Sequence, residues 1–522
     1  MAGWAVRLLG ELRRGASRRG GQWAAALELR LAARALALFE PLRAGASADA
    51  LSYSAAVAAC RRGADWRGAL GLLAEVPGVA YAAAAAACEA GLRWGQALAA
   101  LERGAASRAE LSVVAFNSVI SMCKASRAWA AAVAALAGLG RWRLRPDAVT
   151  YGAAVSACEK ETQWPLALHL FADMRARRLE SQVSTGAAVS ACEKGARWRE
   201  AVALLASSRR QGPPSSPPSL IIYNATISAC EKGRQWAAAV ALLHCAREDV
   251  AVPDAVSFNA AISACEKGSA WAAALALLWG MRAEGATPDC FSFNAAVGAC
   301  GRNRRWALGL WLLRRMRAER AAPDTISCNS AASACERGQQ WLLAVALLPE
   351  MRLRRIKPNI ITYNAVVSAC EKGSEWSAAL ELLRGARQLG LRLDIVTMSS
   401  AMSACARGPC WPAALRLLGE AREAAVELDA VACCAAISAC ETGHQWEVAL
   451  DLLAGCPGGP DAAACSAAVS ACEKGLEWQR SLLLLGQMPQ LALRPTAITF
   501  GAGVLACLGA SSWALALGLL DE

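Results

Sequence analysis

The chain has 522 residues, 56% of them hydrophobic and 19% charged, with a formal net charge of +12. Its 22 cysteines are too small a share for a disulfide scaffold, in which cysteine exceeds about 8% of the chain. No C-x-x-C pair occurs, so the sequence does not support a zinc cluster. The positive charge fits a polyanionic partner, and it fits equally a solvated face that keeps an alanine-rich protein soluble.

The first 49 residues differ from the rest of the chain. Residues 1–22 hold five arginines and one acidic residue, Glu11, a composition typical of an organelle transit peptide. Residues 23–49 keep Trp23 and Asp49 but lack the repeated cysteine, which indicates a degenerate N-terminal capping repeat. We therefore expect an organellar protein, with the mitochondrion favoured over the plastid. The alternative is a basic tail without a targeting function.

From residue 50 to residue 522 the chain is an internal repeat. Fourteen cysteines, from Cys60 to Cys507, are each followed six residues later by a tryptophan. Between Cys230 and Cys440 the step is 35 residues throughout. A fixed period of this length is typical of solenoids, whose units bury their apolar faces by stacking on their neighbours. The array predicts an all-α, right-handed superhelical solenoid of about 14 helix-turn-helix repeats.

The repeat at 255–289 shows the expected helix pair. Phe258, Ile262 and Cys265 lie at i, i+4 and i+7, the stripe of an amphipathic helix. Gly268 is predicted to end that helix in the left-handed conformation. The tryptophan that follows begins the second helix and is expected in the core. Proline and aspartate close the repeat, because proline resists helix continuation and aspartate is a good N-cap for the next helix.

Three segments depart from this pattern. The step from Cys60 to Cys88 is only 28 residues, which predicts a truncated second helix. Residues 209–219 form a proline-rich insertion, expected to be a projecting loop or a hinge. Residues 495–520 carry no charge and are long enough for a membrane span. Their cysteine and tryptophan are in register, so we expect the terminal repeat and no membrane. The repeated cysteines are expected to be small buried residues in a reducing compartment.

The repeat resembles the pentatricopeptide repeat family over about nine-tenths of the chain. The similarity rests on the 35-residue period, on motifs such as IITYNAVVSACEKGSEWSAALELL at 360–383, and on the closing Pro-Asp. The resemblance implies an organellar protein that binds single-stranded RNA, one repeat per nucleotide. It also implies that the fifth and last residues of each repeat contact the base.

The fifth residue lies six positions before each cysteine and is asparagine in six repeats. By the resemblance, the base-binding residues are the following fifth and last residues: Asn117 with Asp147, Asn224 with Asp254, Asn259 with Asp289, Asn294 with Asp324, Asn329 with Asn359, Asn364 with Asp394, and Ser399 with Asp429. The family pattern implies U-U-U-(C/U)-U-G for the six contiguous repeats from Cys230 to Cys405, with the 5′ end toward the N-terminus. Other repeats have residues such as Gly152 or Cys434 at the fifth position, which cannot form the same hydrogen bonds.

The chemistry of asparagine supports this role independently. A carboxamide offers both donors and an acceptor to the edge of an unpaired base. Asparagine is also a poor helix former, so selection for helicity alone should not retain it at one helical position. The alternative is that asparagine is a tolerated polar residue and that aspartate is only an N-cap.

A lysine recurs two positions after the cysteine, and the resemblance implies a phosphate-binding role for it. It lies eight residues beyond the fifth position, about 80° round the helix. A surface cation paired with the preceding glutamate explains it equally well. The six lysines are Lys160, Lys194, Lys232, Lys267, Lys372 and Lys474.

No sequence feature indicates an enzyme, a cofactor or a small-molecule substrate. The three histidines lie in no H-x-E or H-x-x-x-H setting, and no glycine-rich phosphate loop follows a strand. We expect no C-terminal catalytic domain. The sequence predicts a non-catalytic, sequence-selective RNA binder in transcript stabilisation, processing, splicing or translation, to which a nuclease, splicing or translation factor could be recruited. A tetratricopeptide-like protein-binding scaffold is the alternative.

Overall fold

The described part of the chain is helical throughout. A computed structural model gives 24 α-helices and two short 3-10 turns, and no strand occurs among the residues it describes. The described residues are 88, 93–106, 113–142, 144–211, 217–249, 252–319, 321–408, 410–423, 429–456, 459–491 and 493–509. The predicted transit peptide, the capping repeat and the short step from Cys60 lie outside them, as do residues 212–216 of the insertion.

Each repeat contributes a first and a second helix, named here in that order. The first helices are Val113–Ala125, Ala148–Lys160, Gln182–Lys194, Leu220–Lys232, Ala255–Lys267, Cys290–Arg302, Thr325–Arg337, Ile360–Lys372, Ile395–Arg407, Ala430–Thr442, Ala462–Lys474 and Ala497–Gly509. The second helices are Trp94–Ala106, Trp129–Leu139, Trp164–Ala176, Trp198–Gln211, Trp236–Glu248, Trp271–Ala283, Trp306–Ala318, Trp341–Leu353, Trp376–Gln388, Trp411–Glu423, Trp446–Ala454 and Trp478–Gln487. Every second helix begins at the tryptophan, as predicted.

The last residue of a repeat caps the first helix of the next one. Asp147 has extended backbone, and its carboxylate accepts a hydrogen bond from the N–H of Thr150. The Thr150 hydroxyl accepts one from the N–H of Asp147, which completes a capping box. Asp289, Asp324 and Asn359 form the same box with the serine or threonine three residues later. The predicted capping role of these residues is confirmed.

The turn between the two helices corrects one expectation. Gly195 ends its helix with a φ of −82°, which any residue adopts, and the left-handed residue is Ala196 at +54°. A Cβ on Gly195 would lie 2.5 Å from Cδ1 of Trp164 in the preceding repeat. Gly338 meets Trp306 in the same way. Glycine is therefore required for close approach to the tryptophan and not for backbone conformation.

The recurring tryptophan is only half-buried, contrary to the expectation of a core residue. Trp164, Trp271 and Trp341 are partly exposed, and Trp236 is 39% exposed. As the first residue of the second helix, the tryptophan extends across the gap toward the glycine of the following repeat. It packs between repeats at the rim of the core.

The core follows the first helices. Phe258, Ile262 and Cys265 are fully buried, so the predicted stripe is confirmed. On either side of the helix Ala255–Lys267, first helices of successive repeats pack on one another, and second helices pack against the first helix of their own repeat and of the next. Burial raises the pKa of Cys158 to about 11 and that of Cys370 to about 12. These thiols remain protonated and act as small apolar residues.

The described helices fall into two compact units, one within Met1–Ala260 and the other within Ala261–Glu522. Each unit is an all-α solenoid of stacked helix pairs, as predicted. The right-handed superhelix stays a prediction. Among the described helices none is long and apolar enough to cross a membrane, and Ala497–Gly509 has 13 residues.

Candidate nucleic-acid interface

The asparagine at the fifth position is held by the start of the next repeat. The Nδ2 of Asn117 donates to the Asp147 carboxylate, at 3.3 Å from Oδ1 and 3.2 Å from Oδ2. The Thr150 hydroxyl donates to Oδ1 of Asn117 at 2.6 Å. The same aspartate accepts the N–H of Thr150 at 2.8 Å. We name this arrangement of asparagine, capping residue and hydroxyl residue the inter-repeat clamp.

The clamp recurs along the chain. Asn224 donates to Asp254 at 3.2 Å and accepts from the Ser257 hydroxyl at 2.5 Å. Asn329 donates to Asn359 at 3.3 Å and accepts from Thr362 at 2.6 Å. Asn364 donates to Asp394 at 2.8 Å and accepts from the Thr397 hydroxyl. Asn294 forms only half of the clamp: it donates to Asp324 at 3.4 Å, but the Ser327 hydroxyl donates to Asp324 at 2.8 Å and Oδ1 of Asn294 accepts no hydrogen bond from the described residues. Asp289 accepts the N–H of Ser292 at 2.8 Å.

The clamp leaves half of the hydrogen-bonding capacity of each asparagine available. A carboxamide has two N–H donors and two acceptor lone pairs, and the clamp uses one of each. Asn117, Asn224, Asn329 and Asn364 are all half-buried. Each therefore presents an oriented amide at the surface of its first helix, which can donate one hydrogen bond and accept another.

The capping aspartates are charged at neutral pH. Burial by itself would raise the pKa of Asp147, but hydrogen bonds from Thr150 and Asn117 outweigh it and lower the pKa below its ordinary value. The pKa values of Asp254, Asp324 and Asp394 are lowered for the same reasons. The row of clamps consequently carries a row of carboxylates.

The seventh predicted pair is built differently. Ser399 is 7% exposed, and its hydroxyl donates to the carbonyl of Val396 in its own helix. Asp429 caps the N–H of Ala432 at 2.8 Å, where alanine offers no hydroxyl. Ser399 and Asp429 are therefore not joined through a clamp. Of the seven fifth-position side chains predicted to contact a base, Ser399 is the least accessible.

A row of exposed apolar side chains accompanies the asparagines, which the sequence reasoning missed. The residue three positions before the fifth is apolar in nearly every repeat and lies on the same helix face. These side chains are between 52% and 79% exposed, unlike ordinary core residues. The row comprises Val114, Val149, Val183, Ile221, Val256, Phe291, Ile326, Ile361, Val396, Val431 and Ile498. The signal in the sequence was an apolar residue at the second position of the 35-residue period.

Four of the six predicted lysines two positions after the cysteine pair with the preceding repeat. Each contacts the glutamate one position after that repeat's cysteine, a partner that the sequence reasoning did not identify. The Nζ–Oε1 distances are 3.1 Å for Lys194–Glu159, 3.0 Å for Lys232–Glu193, 2.6 Å for Lys372–Glu336 and 2.8 Å for Lys474–Glu441. Each of these ammonium groups keeps further N–H donors for a phosphate.

The same glutamates accept from a serine that the sequence reasoning also missed. Ser368 donates to Glu336 at 3.0 Å, and Ser470 donates to Glu441 at 2.8 Å. This serine lies two positions before the cysteine, at i+4 from the fifth residue and i−4 from the lysine. Asparagine, serine and lysine therefore form one polar line along three first helices, Leu220–Lys232, Ala255–Lys267 and Ile360–Lys372. Their i, i+4, i+8 spacing was the available signal.

The arginine clusters lie near the ends of second helices and are partly paired. Arg175 contacts Glu180 at 3.1 Å, and Arg317 contacts Glu350 at 3.3 Å. Exposed cations also occur two residues before three of the capping residues, at Arg145, Lys357 and Arg392. Positive charge therefore accompanies the carboxylate row at these repeat ends. Among the described residues no group of three potential metal ligands occurs.

Comparison with known families gives matches in the middle of the chain. The family described as the pentatricopeptide repeat domain matches residues 311–372. The pentatricopeptide repeat itself matches residues 291–320 and 361–391. The sequence matches none of the curated proteins with which it was compared.

Solved structures of similar fold are also pentatricopeptide repeat proteins. The crystal structure of the pentatricopeptide repeat protein PPR10 from maize is 17% identical, with a TM-score of 0.50, and the match covers 99% of this chain and 90% of PPR10. PPR10 in complex with an 18-nt psaJ RNA element is also 17% identical, with a TM-score of 0.40, covering 98% and 90%. At this identity the first likeness establishes the fold alone.

The matched repeats and their neighbours share one architecture. Residues 291–391 contain the capped first helix, the glycine turn and the tryptophan-led second helix that recur on both sides of them. The same clamp joins Asn117 to Asp147 and Asn364 to Asp394. The family matches identify pentatricopeptide repeats at residues 291–391, and the same helical unit recurs in the described repeats on both sides of them.

Proposed function

We propose that this protein binds single-stranded RNA along the row of first helices, one repeat per nucleotide, without catalysing a reaction on it. The observation that carries the proposal is the row of oriented asparagine amides, each three residues from an exposed apolar side chain. Unpaired bases offer both a hydrogen-bonding edge and an apolar face. The amide fits the edge and the apolar residue fits the face.

The exposed apolar row argues against a purely structural role for this surface. Ile361 is 57% exposed and Val256 is 59% exposed, although each is the second residue of a helix whose next two residues are buried. Side chains this exposed add little to the free energy of folding, because their apolar surface stays in water. Covering them with a base would remove that surface from water. A periodic apolar row of this kind indicates a periodic ligand.

Electrostatics supports a polyanion bound at some distance from the clamps. The capping carboxylates repel phosphate, so the backbone of the RNA is expected on the side of the lysines and of the exposed cations. Lys194 and Lys372 each contact one glutamate oxygen and keep donors for a phosphate oxygen. Lys160, Lys232, Lys267 and Lys474 are proposed for the same role.

The proposed ligand is pyrimidine-rich. For the six repeats from Cys230 to Cys405 the pattern of fifth and last residues gives U-U-U-(C/U)-U-G. The protein PPR10, whose unbound structure has this fold, has been crystallised with an 18-nt RNA element, which makes RNA the first ligand to test. We place the function in transcript stabilisation, processing, splicing or translation in an organelle, with the mitochondrion favoured and a partner factor recruited.

The first test compares RNAs across a salt series. The wild-type chain is expected to bind an RNA containing U-U-U-C-U-G more tightly than a purine-only RNA of the same length. Its log Kd should rise with log salt concentration with a slope of about 0.7 for each phosphate contacted. Equal, weak binding to both RNAs would contradict the proposal and would favour the protein-binding scaffold.

A single asparagine variant tests the site itself. Asn364→Ala is expected to reduce affinity for the U-rich RNA by about five-fold or more, because a well-placed contact to a base edge is worth about 1–3 kcal/mol. Affinity for the purine RNA should change little. Gln388→Ala, an exposed change on a second helix, is the matched control and should leave both affinities unaltered.

A further inference from the structure

The residue three positions after each capping residue carries a hydroxyl in every clamp. Thr150, Ser257, Thr362 and Thr397 are each fully buried, so none of them can contact a bound RNA directly. We propose that this hydroxyl is a positioning residue for base selection: it fixes the orientation of the preceding repeat's asparagine and thereby lets that repeat distinguish uracil from cytosine. The inference rests on the proposed function.

The distances show that the hydroxyl is the closer contact in three clamps. The hydroxyl oxygen lies 2.6 Å from Oδ1 of Asn117, 2.5 Å from that of Asn224 and 2.6 Å from that of Asn329. The contacts from Nδ2 of these asparagines to the capping residue are 3.2 Å or longer. A single long contact leaves the amide free to rotate about its terminal bond. Two contacts fix both of its ends.

The hydroxyl bridges the asparagine and the capping residue. Oγ1 of Thr150 lies 2.6 Å from Oδ1 of Asn117 and 2.7 Å from Oδ1 of Asp147, and it has one proton to donate. Asp147 Oδ1 already accepts the backbone N–H of Thr150. The Asn117 amide consequently points its NH2 group toward Asp147 and its oxygen toward Thr150, with one N–H and one lone pair left in fixed directions.

A fixed amide distinguishes the two pyrimidines. Uracil presents a carbonyl acceptor beside an N–H donor, whereas cytosine presents an amine donor beside a ring nitrogen acceptor. An amide held in one orientation complements one of these patterns and leaves unpaired groups against the other. An amide that can turn over satisfies both, so discrimination requires the hydroxyl.

The sequence separates this role from helix capping. All six fifth-position asparagines are followed by serine or threonine at the third residue of the next repeat: Thr150, Ser257, Ser292, Ser327, Thr362 and Thr397. Where Ser399 and Cys434 occupy the fifth position, the third residue of the next repeat is Ala432 and Ala464. Asp429 and Asp461 still cap those helices, at 2.8 Å and 2.7 Å. Every asparagine is thus followed by a hydroxyl, and a cap can form without one. A hydroxyl also occurs at Ser184 and Thr499, which follow Gly152 and Ser466.

The test measures selectivity at one nucleotide. The full chain is titrated with RNAs that carry U-U-U-C-U-G between adenosine flanks, with uracil or cytosine at the first position, which Asn224 is proposed to contact. Ser257→Ala is expected to lower the ratio of the cytosine Kd to the uracil Kd at that position by about five-fold. Ser257→Thr, which keeps the hydroxyl, should retain the ratio. For RNAs with uracil or cytosine at the third position, the ratio of the cytosine Kd to the uracil Kd should not change in either variant.

The outcomes separate this inference from the proposed function. Wild-type selectivity that survives in Ser257→Ala overturns the positioning role and leaves RNA binding intact. An equal loss of affinity for both RNAs shows a merely structural role and overturns it as well. Absence of RNA binding by the wild type overturns the proposed function together with the inference. Thr397→Val, read at the fifth nucleotide, provides a second variant should Ser257→Ala fail to fold.

Discussion

At the residue scale, two neighbouring residues in the turn between the helices have different roles. Gly195 provides the space that Trp164 needs, and Ala196 adopts the left-handed conformation that reverses the chain. The N–H of Arg197 then bonds to the carbonyl of Cys192 at 2.9 Å, which closes the helix end. A sequence pattern alone assigns the left-handed conformation to the glycine, because glycine is the usual residue for left-handed helix ends.

Two substitutions in this turn should have opposite effects. Gly195→Ala is expected to destabilise the chain by about 1–3 kcal/mol, since the added methyl group overlaps the ring of Trp164. Ala196→Gly should stabilise it or leave it unchanged, because a left-handed alanine is strained by roughly 1 kcal/mol. Thermal unfolding followed by circular dichroism measures both. Greater damage from Ala196→Gly than from Gly195→Ala would contradict the division of roles.

The capping carboxylates predict a dependence of stability on pH. Hydrogen bonds hold the folded-state pKa of Asp147 and Asp394 below the value of about 3.9 expected in the unfolded chain. The stabilisation that these carboxylates provide is complete above the pKa of aspartate in the unfolded chain. It is lost as pH falls through their pKa in the folded chain. Glu371, whose pKa is raised by burial, acts in the opposite sense. The melting temperature should fall on acidification below about pH 4, and less in Asp394→Asn, which copies natural Asn359.

At the element scale, the first helix Ile360–Lys372 has two polar ends that contact the first helix before it. The hydroxyl of Thr362 contacts Asn329 near the beginning of the helix, and Lys372 contacts Glu336 near its end. Between these ends lies the buried stripe that includes Tyr363 and Cys370. Hydrogen bonds at both ends therefore fix the register of one first helix on the next.

The exposed apolar row gives a prediction for this element. Ile361→Ala removes a side chain that is 57% exposed, so the free energy of unfolding should change little, while affinity for the U-rich RNA should fall several-fold. Leu342→Ala is the matched control, because Leu342 is 65% exposed on a second helix. It should leave RNA affinity unchanged. An equal effect of both variants on binding would mean that the first-helix row does not contact the RNA.

At the scale of the whole molecule, stability within each compact unit is a sum of repeat and neighbour terms. Each first helix buries its cysteine only while the adjoining repeats remain stacked. Exposure of these thiols therefore reports opening of neighbouring repeats. Of the described cysteines, those of the repeat register, such as Cys265 and Cys335, are fully buried, whereas Cys245 and Cys410 are partly exposed.

Alkylation of the native protein should follow this division. Iodoacetamide is expected to modify Cys245 and Cys410 before Cys265 and Cys335, because burial both shields the latter thiols and raises their pKa, to about 12 and about 11. Mass spectrometry of the labelled peptides gives the order. Denaturant should abolish the difference, and uniform labelling without denaturant would show that the repeats do not stack as described.

The amino-acid sequence by itself determined the repeat length, the helix pair, the buried stripe of Phe258, Ile262 and Cys265, and the positions of the asparagines. Periodicity, capping and turn chemistry act over a few residues, so a single repeat contains them. Only the tertiary structure showed that the Asn224 amide is held by Asp254 and Ser257, or that Lys372 meets Glu336. Those partners lie 30 to 36 residues apart and are brought together by stacking, which no pattern within one repeat contains.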